Sequence, residues 1–236
     1  MQEWSAIIKT ITDKIGEFLN IFDLSFLVSG AACLSGFYFI CIILNEAVDS
    51  INMPIAIMAA YILGLLCFTI GRWVRKDFRR KQYDEKFNRQ MQEASDAHGI
   101  LNIAEYKQYF RQDQINYNSL YVRIWVDLRE MKNYRSSLGI INRYWVMAAT
   151  YDGLAIACFI WLGALEYWWW RNGINLLGAT IPNANLVQIG VSVLILLISV
   201  GISYRCWCEA ARYSRHQVEE IIATIASWKN DSVKNC

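Results

Sequence analysis

Four long apolar runs constrain this chain more than any other feature of its sequence. They are residues 24–45, 53–71, 144–170 and 186–204. Each is long enough for a helix to cross the hydrocarbon core of a bilayer, which takes about 20 residues. Three runs carry no charge, and the third in chain order contains only Asp152 and Glu166. Helices that are apolar all round need lipid or a large core, so the sequence predicts an all-α membrane protein with four transmembrane helices.

The distribution of basic residues predicts the orientation of these helices. Loop 46–52 has no Lys or Arg and loop 171–185 has one, whereas segment 72–143 has fifteen and the tail from Arg205 has five. Basic residues are retained on the cytoplasmic side of a membrane. We therefore predict a multi-pass protein with both termini and segment 72–143 in the cytoplasm.

Segment 72–143 is predicted to form a cytoplasmic helical hairpin with a turn at Asp96–Gly99. Apolar and aromatic residues recur in its second half at helical spacing: Leu120, Ile124, Leu128 and Met131, with Tyr117, Tyr121, Trp125 and Tyr134 beside them. A hairpin alone cannot bury such a stripe. This predicts association with further copies of the chain, as a tetramer or pentamer, or with a cytoplasmic partner protein.

The two ends of the chain are predicted to be amphipathic helices. Residues 1–20 place their apolar side chains on one helical face, which is typical of a helix lying along the inner leaflet. Packing beneath the cytoplasmic domain is the alternative. Residues 205–236 are predicted to continue helically and pack against the hairpin. The predicted organisation is thus 1–20 interfacial helix, 21–71 first two spans, 72–143 hairpin, 144–204 last two spans and 205–236 C-terminal helix.

A basic stripe follows the second span directly. Its cations recur at steps of three and four, with two aromatic residues among them: Arg72, Arg75, Lys76, Arg79 and Arg80, with Trp73 and Phe78. Such residues could bind an anionic ligand, either a nucleotide or a short nucleic acid, with the rings stacking on bases. The alternative is an orientation signal and lipid headgroup anchor.

The two carboxylates of the third span are candidates for a pore or polar pathway. Acidic residues in a membrane are costly and commonly mark functional sites. Asp152 and Glu166 lie fourteen residues apart, close to four helical turns, and so project from similar sides. The alternatives are an interhelical hydrogen bond for Asp152 and an interfacial position beside Arg171 for Glu166.

Small residues along the spans predict close helix contacts. They include Gly30, Gly64, Gly71, Gly153, Gly190 and Gly201. No catalytic constellation is recognisable, since the chain has two His, no phosphate-binding glycine loop and no cysteine spacing typical of a metal site. We therefore expect no enzymatic activity, no cofactor and no metal.

These features favour a subunit of a homo-oligomeric ion channel or pore, gated through its basic cytoplasmic domain by an anionic ligand. A non-conducting membrane scaffold or immunity-type protein is the alternative. In layout the chain resembles the four-span membrane effectors of bacterial anti-phage systems, those partnered with nucleotidyltransferases such as Hailong, or the membrane subunit of Kiwa. The resemblance implies a pore in the bacterial inner (plasma) membrane that depolarises an infected cell, and it assigns no individual residue.

Overall fold

The regular structure of the chain is helical wherever the computed structural model describes it, in residues 21–44, 52–76, 80–100, 103, 106, 109, 117–130, 135–177 and 184–234. No strand occurs in these ranges. Six helices lie in them: α1 (Ile21–Ile43), α2 (Met53–Lys76), α3 (Arg80–Ala97), α4 (Tyr117–Glu130), α5 (Arg135–Leu177) and α6 (Ala184–Lys234). The predicted interfacial helix at 1–20 lies outside the described residues.

Four of these helices, α1, α2, α5 and α6, are long and apolar enough to cross a membrane, as the sequence predicts. The last two are much longer than a span, with 43 residues in α5 and 51 in α6. At about 1.5 Å per residue they measure roughly 65 and 75 Å, against a hydrocarbon core of about 30 Å. Each therefore continues well beyond its apolar part without a break.

The chain divides into two compact units, and α5 and α6 contribute to both. The first unit comprises Met1–Trp73 and Ala149–Ala210 and contains the most apolar helical segments; we call it the membrane unit. The second comprises Val74–Ala148 and Ala211–Cys236. We call it the extramembrane unit, because it carries most of the charged residues of the chain.

Close backbone contact holds the helices of the membrane unit together. A Cβ atom added at Gly30 of α1 would overlap the carbonyl of Ala60 in α2, and one at Gly64 of α2 would overlap the carbonyl of Phe26 in α1. Gly71 faces the backbone of α5 in the same way. The prediction of close contact is thus confirmed for these glycines, because no larger residue leaves room for the neighbouring carbonyl.

Helix α1 also packs along one side of α5. The Trp161 indole N–H donates a hydrogen bond to the carbonyl of Ala32 (2.9 Å), and its ring stacks on Phe39 with centroids 5.5 Å apart. At the end of α1, Arg171 Nη1 donates to the carbonyl of Ile43 (2.8 Å). Arg171 therefore supplies a partner for a terminal carbonyl that has no partner within its own helix.

The extramembrane unit is built around a core of large aliphatic side chains. Leu120, Ile124 and Leu128 of α4 are fully buried, together with Ile221 and Ile225 of α6. Met91 of α3 and Ile141 of α5 belong to the same core. Four helices of one chain thus contribute to this core.

The core corrects one step of the sequence analysis. The apolar members of the α4 stripe were predicted to require another copy or a partner protein, but α6 and α3 bury them within the same chain. The prediction was wrong because it treated the hairpin in isolation, although residues 205–236 were themselves predicted to pack against it. Burial of this stripe therefore gives no support to an oligomer.

A turn follows α3 at the predicted position. The helix ends at Ala97, and the N–H of His98 donates to the carbonyl of Ala94 (3.1 Å). Gly99 then adopts a φ of 67°, in the left-handed region where glycine is favoured. The predicted turn at 96–99 is confirmed.

Candidate functional site

The best-defined arrangement of polar groups in the membrane unit lies between α5 and α6. Two hydrogen bonds fix the register of these antiparallel helices: Ser203 Oγ donates to the carbonyl of Ala155 (3.0 Å), and Trp169 Nε1 donates to the carbonyl of Gln188 (2.9 Å). Each step along α5 is therefore matched by a step in the opposite direction along α6. We call the contact between these two helices the α5–α6 seam.

Helix α6 contributes four polar side chains to this seam: Gln188, Ser192, Ser199 and Ser203. Gln188 is 1% exposed, and its Nε2 donates to the carbonyls of Trp169 (3.5 Å) and Trp170 (3.3 Å). Ser199 and Ser203 are also buried. These residues lie at helical spacing on the face of α6 toward α5, while the opposite face exposes large apolar side chains such as Leu197. Helix α6 thus directs its polar side chains into the seam and exposes apolar side chains on its other face.

Ser192 differs from its neighbours in the seam. Its Oγ is buried and has no hydrogen-bond partner among the described residues. A buried hydroxyl without a partner costs about 1–3 kcal/mol, whereas the hydroxyl of Ser203 is satisfied by a carbonyl. Ser192 thus brings an unsatisfied hydroxyl into the seam.

Glu166 lies opposite Ser192. Counting eleven residues from Ala155 along α5 and eleven back from Ser203 along α6 brings these two residues to the same level. Ala155, Phe159, Leu162 and Glu166 recur at steps of four, three and four, and Phe159 contacts Trp207 of α6 with ring centroids 6.2 Å apart. Glu166, which is half-buried, therefore lies on the face of α5 that is directed toward α6.

Asp152 lies toward the other end of the same seam. It is 1% exposed, and its backbone carbonyl is the atom that a Cβ at Gly71 would overlap. Because Asp152 precedes Ala155 by three residues, it lies level with the residues that follow Arg205, not with the middle of the apolar run. Its backbone contact with Gly71, the residue before Arg72 of α2, agrees with this level. Asp152 therefore lies near the first cations that follow two of the spans.

The basic stripe is partly described. Arg72 is placed with its guanidinium carbon 5.6 Å from the centroid of the Phe68 ring. Lys76 Nζ lies 4.7 Å from the ring centroid of Tyr83, and the guanidinium carbon of Arg75 lies 6.0 Å from it. Cations over aromatic faces at these distances are attracted to the ring. The structure thus brings Arg75 and Lys76 together around one tyrosine of α3.

The remaining predicted residues of the stripe are less informative. Trp73 is 56% exposed on α2. Phe78 and Arg79 lie outside the described residues, and Arg80 is described only as the first residue of α3. The structure therefore brings together only part of the predicted set.

The structure also brings together two pairs of cysteines whose pairing was not predicted from the sequence. Cys33 of α1 is hydrogen-bonded to Cys67 of α2, and Cys158 of α5 to Cys206 of α6. All four are free thiols. No group of three or more His, Cys, Asp or Glu side chains suited to a metal ion occurs among the described residues. Helical spacing could have placed each cysteine on a face, but the pairing depends on the register between helices.

Comparisons with known proteins found no match from which a function of the site could be inferred. The chain matches no family model, no curated protein and no solved structure.

Proposed function

We propose that the chain is the subunit of a homo-oligomeric ion channel in which a basic segment next to the membrane binds an anionic ligand and controls opening. The observation that carries the proposal is the α5–α6 seam. Polar side chains line it across the apolar part of α6, and a carboxylate lies near each end, at Asp152 and at Glu166. Polar groups in a membrane helix face partners, water or an ion path rather than lipid.

The oligomer is supported by two glycines on the exposed side of α6. Gly190 and Gly201 meet no atom within 4 Å that would collide with a Cβ, in contrast to Gly30 and Gly64. A glycine within a helix costs about 1 kcal/mol relative to alanine, and close packing against another helix offsets that cost. A second copy of the chain is the proposed neighbour of this face.

The ligand site is centred on Arg75 and Lys76. Their shared contact with Tyr83 places two positive charges near one aromatic ring. Phosphate groups suit such cations, and a base can stack on an aromatic ring. A nucleotide or short nucleic acid is therefore the proposed ligand, and the layout of the chain suggests a setting in bacterial anti-phage defence.

Conduction by the purified protein tests the proposal. In liposomes the protein should carry an ionic current, and Asp152→Asn, which removes a charge at nearly constant volume, should change the unitary conductance or the reversal potential. Asp84→Asn, at an exposed position of α3, is the matched control and should change neither. Folded protein that carries no current, with and without added nucleotide or oligonucleotide, would exclude a channel.

The ligand is tested separately with a short single-stranded oligonucleotide. Lys76→Gln should weaken its binding to the purified protein, and the control Lys86→Gln on the exposed face of α3 should bind as the parent does. Each lost phosphate contact should also reduce the salt dependence of binding. Equal affinity of both variants and the parent would remove Lys76 from the proposed site.

One observation favours a non-conducting scaffold as the second candidate. Helix α4 leaves Val122 and Val126 exposed, and with Tyr109, Ser119 and Arg123 they line an open groove of about 410 Å³. A partner protein could bind there through apolar contacts with a polar rim. Retention of a partner by the parent and its loss in Val122→Asp, in a protein that carries no current, would establish the scaffold in place of the channel.

A further inference from the structure

The two cysteine pairs of the membrane unit differ in their surroundings. Cys33 and Cys67 are 1% and 3% exposed and pack among aliphatic side chains. Cys158 and Cys206 are both partly exposed, and their thiols are in hydrogen-bond contact across the α5–α6 seam. A cysteine reacts only where a reagent reaches its sulfur. The second pair is therefore the better placed of the two for chemistry.

Helices α5 and α6 approach each other closely where this pair lies. Ser203 Oγ donates to the carbonyl of Ala155 (3.0 Å). These two residues lie three positions before Cys206 and Cys158, and the Cys158 thiol also contacts the Ser203 hydroxyl. Because a serine side chain is short, its contact with a carbonyl of the other helix brings the two backbones near each other. A disulfide requires such an approach, since its Cβ atoms lie about 3.5–4.5 Å apart.

The pair also lies near the charged end of the seam. The side chain of Arg205 is 74% exposed and pairs with Glu209 (3.6 Å), so charged groups flank Cys206 along α6. Asp152 precedes Cys158 by six residues, about 9 Å along α5. Side chains of a helix tilt toward its N-terminus, which directs Cys158 toward this charged end and Cys206 back toward the span. The two thiols therefore meet close to the membrane surface, where a small polar reagent arrives from water.

We propose that Cys158 and Cys206 form an oxidisable dithiol that a hydroperoxide converts to a disulfide. One thiol, as its thiolate, attacks an oxygen of the peroxide. The O–O bond breaks, the sulfur becomes a sulfenic acid, and the leaving oxygen takes the proton that the thiol lost, as an alcohol or as water. The other thiol then attacks this sulfur, the S–O bond breaks, and water leaves as the S–S bond forms. The two sulfurs together lose two electrons, and these reduce the peroxide.

The disulfide would act as a reversible link between α5 and α6. The orientation predicted from the basic residues places this end of the seam in the cytoplasm, where disulfides are transient and serve sensing or catalysis. Cellular thiols reduce such a bond once the peroxide is gone. Any effect on an ionic current rests on the proposed channel function, whereas the chemistry of the pair does not.

Counting thiols after exposure to peroxide tests the pair. The full chain in liposomes is treated with hydrogen peroxide, denatured and alkylated, and the labels are counted by intact mass against the seven cysteines of the chain. The parent should lose two labels, regain them after dithiothreitol, and yield a peptide that joins Cys158 to Cys206. Cys206→Ser should not form this link, and neither should Cys206→Ala, which serves if the serine variant does not fold. The control Cys208→Ser should still lose two of its remaining labels.

The buried pair and an exposed methionine provide internal standards. Cys33 and Cys67 should stay reduced in the parent, because aliphatic side chains cover them. A parent that keeps all its thiols at a peroxide concentration that oxidises Met53, which is 76% exposed, would show that the oxidant does not reach the pair and would overturn the inference. A disulfide that maps to other cysteines would overturn it as well.

Current measured in the same liposomes separates this inference from the channel. Peroxide should reduce the current of the parent, because a covalent link opposes movement between α5 and α6, and dithiothreitol should restore it. Cys206→Ser should conduct equally before and after peroxide. A mapped disulfide in a protein without current would leave the dithiol standing and exclude the channel. A current in a protein that forms no disulfide would establish the channel and overturn the dithiol.

Discussion

The membrane unit and the extramembrane unit are stabilised by opposite kinds of side chain. In the membrane unit the closest helix contacts occur where there is no side chain, at Gly30 and Gly64. In the extramembrane unit the helices instead bury large side chains between them, such as Ile124 and Ile221, which are fully buried. Both α5 and α6 contribute to each unit. A single helix therefore packs through small residues in one part of its length and through large side chains in another.

The difference follows from the solvent that each unit displaces. In water, burying a large aliphatic side chain is itself favourable, at about 25 cal/mol per Å² of apolar surface. In lipid the surrounding chains are as apolar as leucine, so association depends on close van der Waals contact and on hydrogen bonds between helices. Ile141 of α5 lies in the first kind of core, and Gly153 of the same helix faces Ser29 of α1 in the second kind of contact.

Removing carbons from the extramembrane core should have the largest effect. Ile124→Ala should lower the free energy of unfolding of this unit by about 2–5 kcal/mol, through lost burial and the cavity that remains. Val122→Ala, on the same helix and 61% exposed, should change it by less than about 0.5 kcal/mol. Denaturant unfolding of both variants measures the difference, and equal losses would mean that α4 is not packed as described.

Adding one carbon to the membrane unit should have the next largest effect. Gly64→Ala places a methyl group against the carbonyl of Phe26 and should destabilise the unit by about 1–3 kcal/mol, because two backbones must separate. Gly163→Ala adds the same group to α5, where no atom lies within 4 Å, and should be neutral or slightly stabilising. Thermal unfolding in detergent separates them. If Gly64→Ala unfolds at the same temperature as the parent, close backbone contact between α1 and α2 does not stabilise the membrane unit, and the contrast between the two units fails.

Much of the membrane architecture is predictable from the sequence, because it depends on local composition. The four spans follow from uncharged runs whose length matches a bilayer, and the turn after α3 follows from a glycine that can take a positive φ. Neither feature depends on which helix lies beside which.

The candidate site is less predictable, because it depends on register. The sequence analysis chose Glu166 and Asp152 because carboxylates are costly in a membrane, and periodicity places both on one side of α5. It could not bring Glu166 level with Ser192, since that register follows from the contact between Ser203 and Ala155. The error over the α4 stripe has a different origin, because the sequence analysis predicted that residues 205–236 pack against the hairpin but did not count that contact toward burial of the stripe.

Alkaline pH should produce the smallest effect, confined to the extramembrane unit. Burial, and then the negative charge of Asp96, raise the pKa of the Tyr117 phenol above its usual range. The folded state therefore holds this proton to a higher pH than the unfolded state does. The stabilisation is complete below the ordinary tyrosine pKa of about 10, and it is lost as pH rises through the folded-state pKa. The free energy of unfolding, measured from neutral pH upward, should fall in this range in the parent and in the control Tyr83→Phe. In Tyr117→Phe it should fall less steeply with pH, because the phenol that ionises is absent. An unchanged slope in Tyr117→Phe would show that ionisation of this buried phenol is not coupled to the packing of α4, and that the aliphatic side chains alone set the stability of the unit.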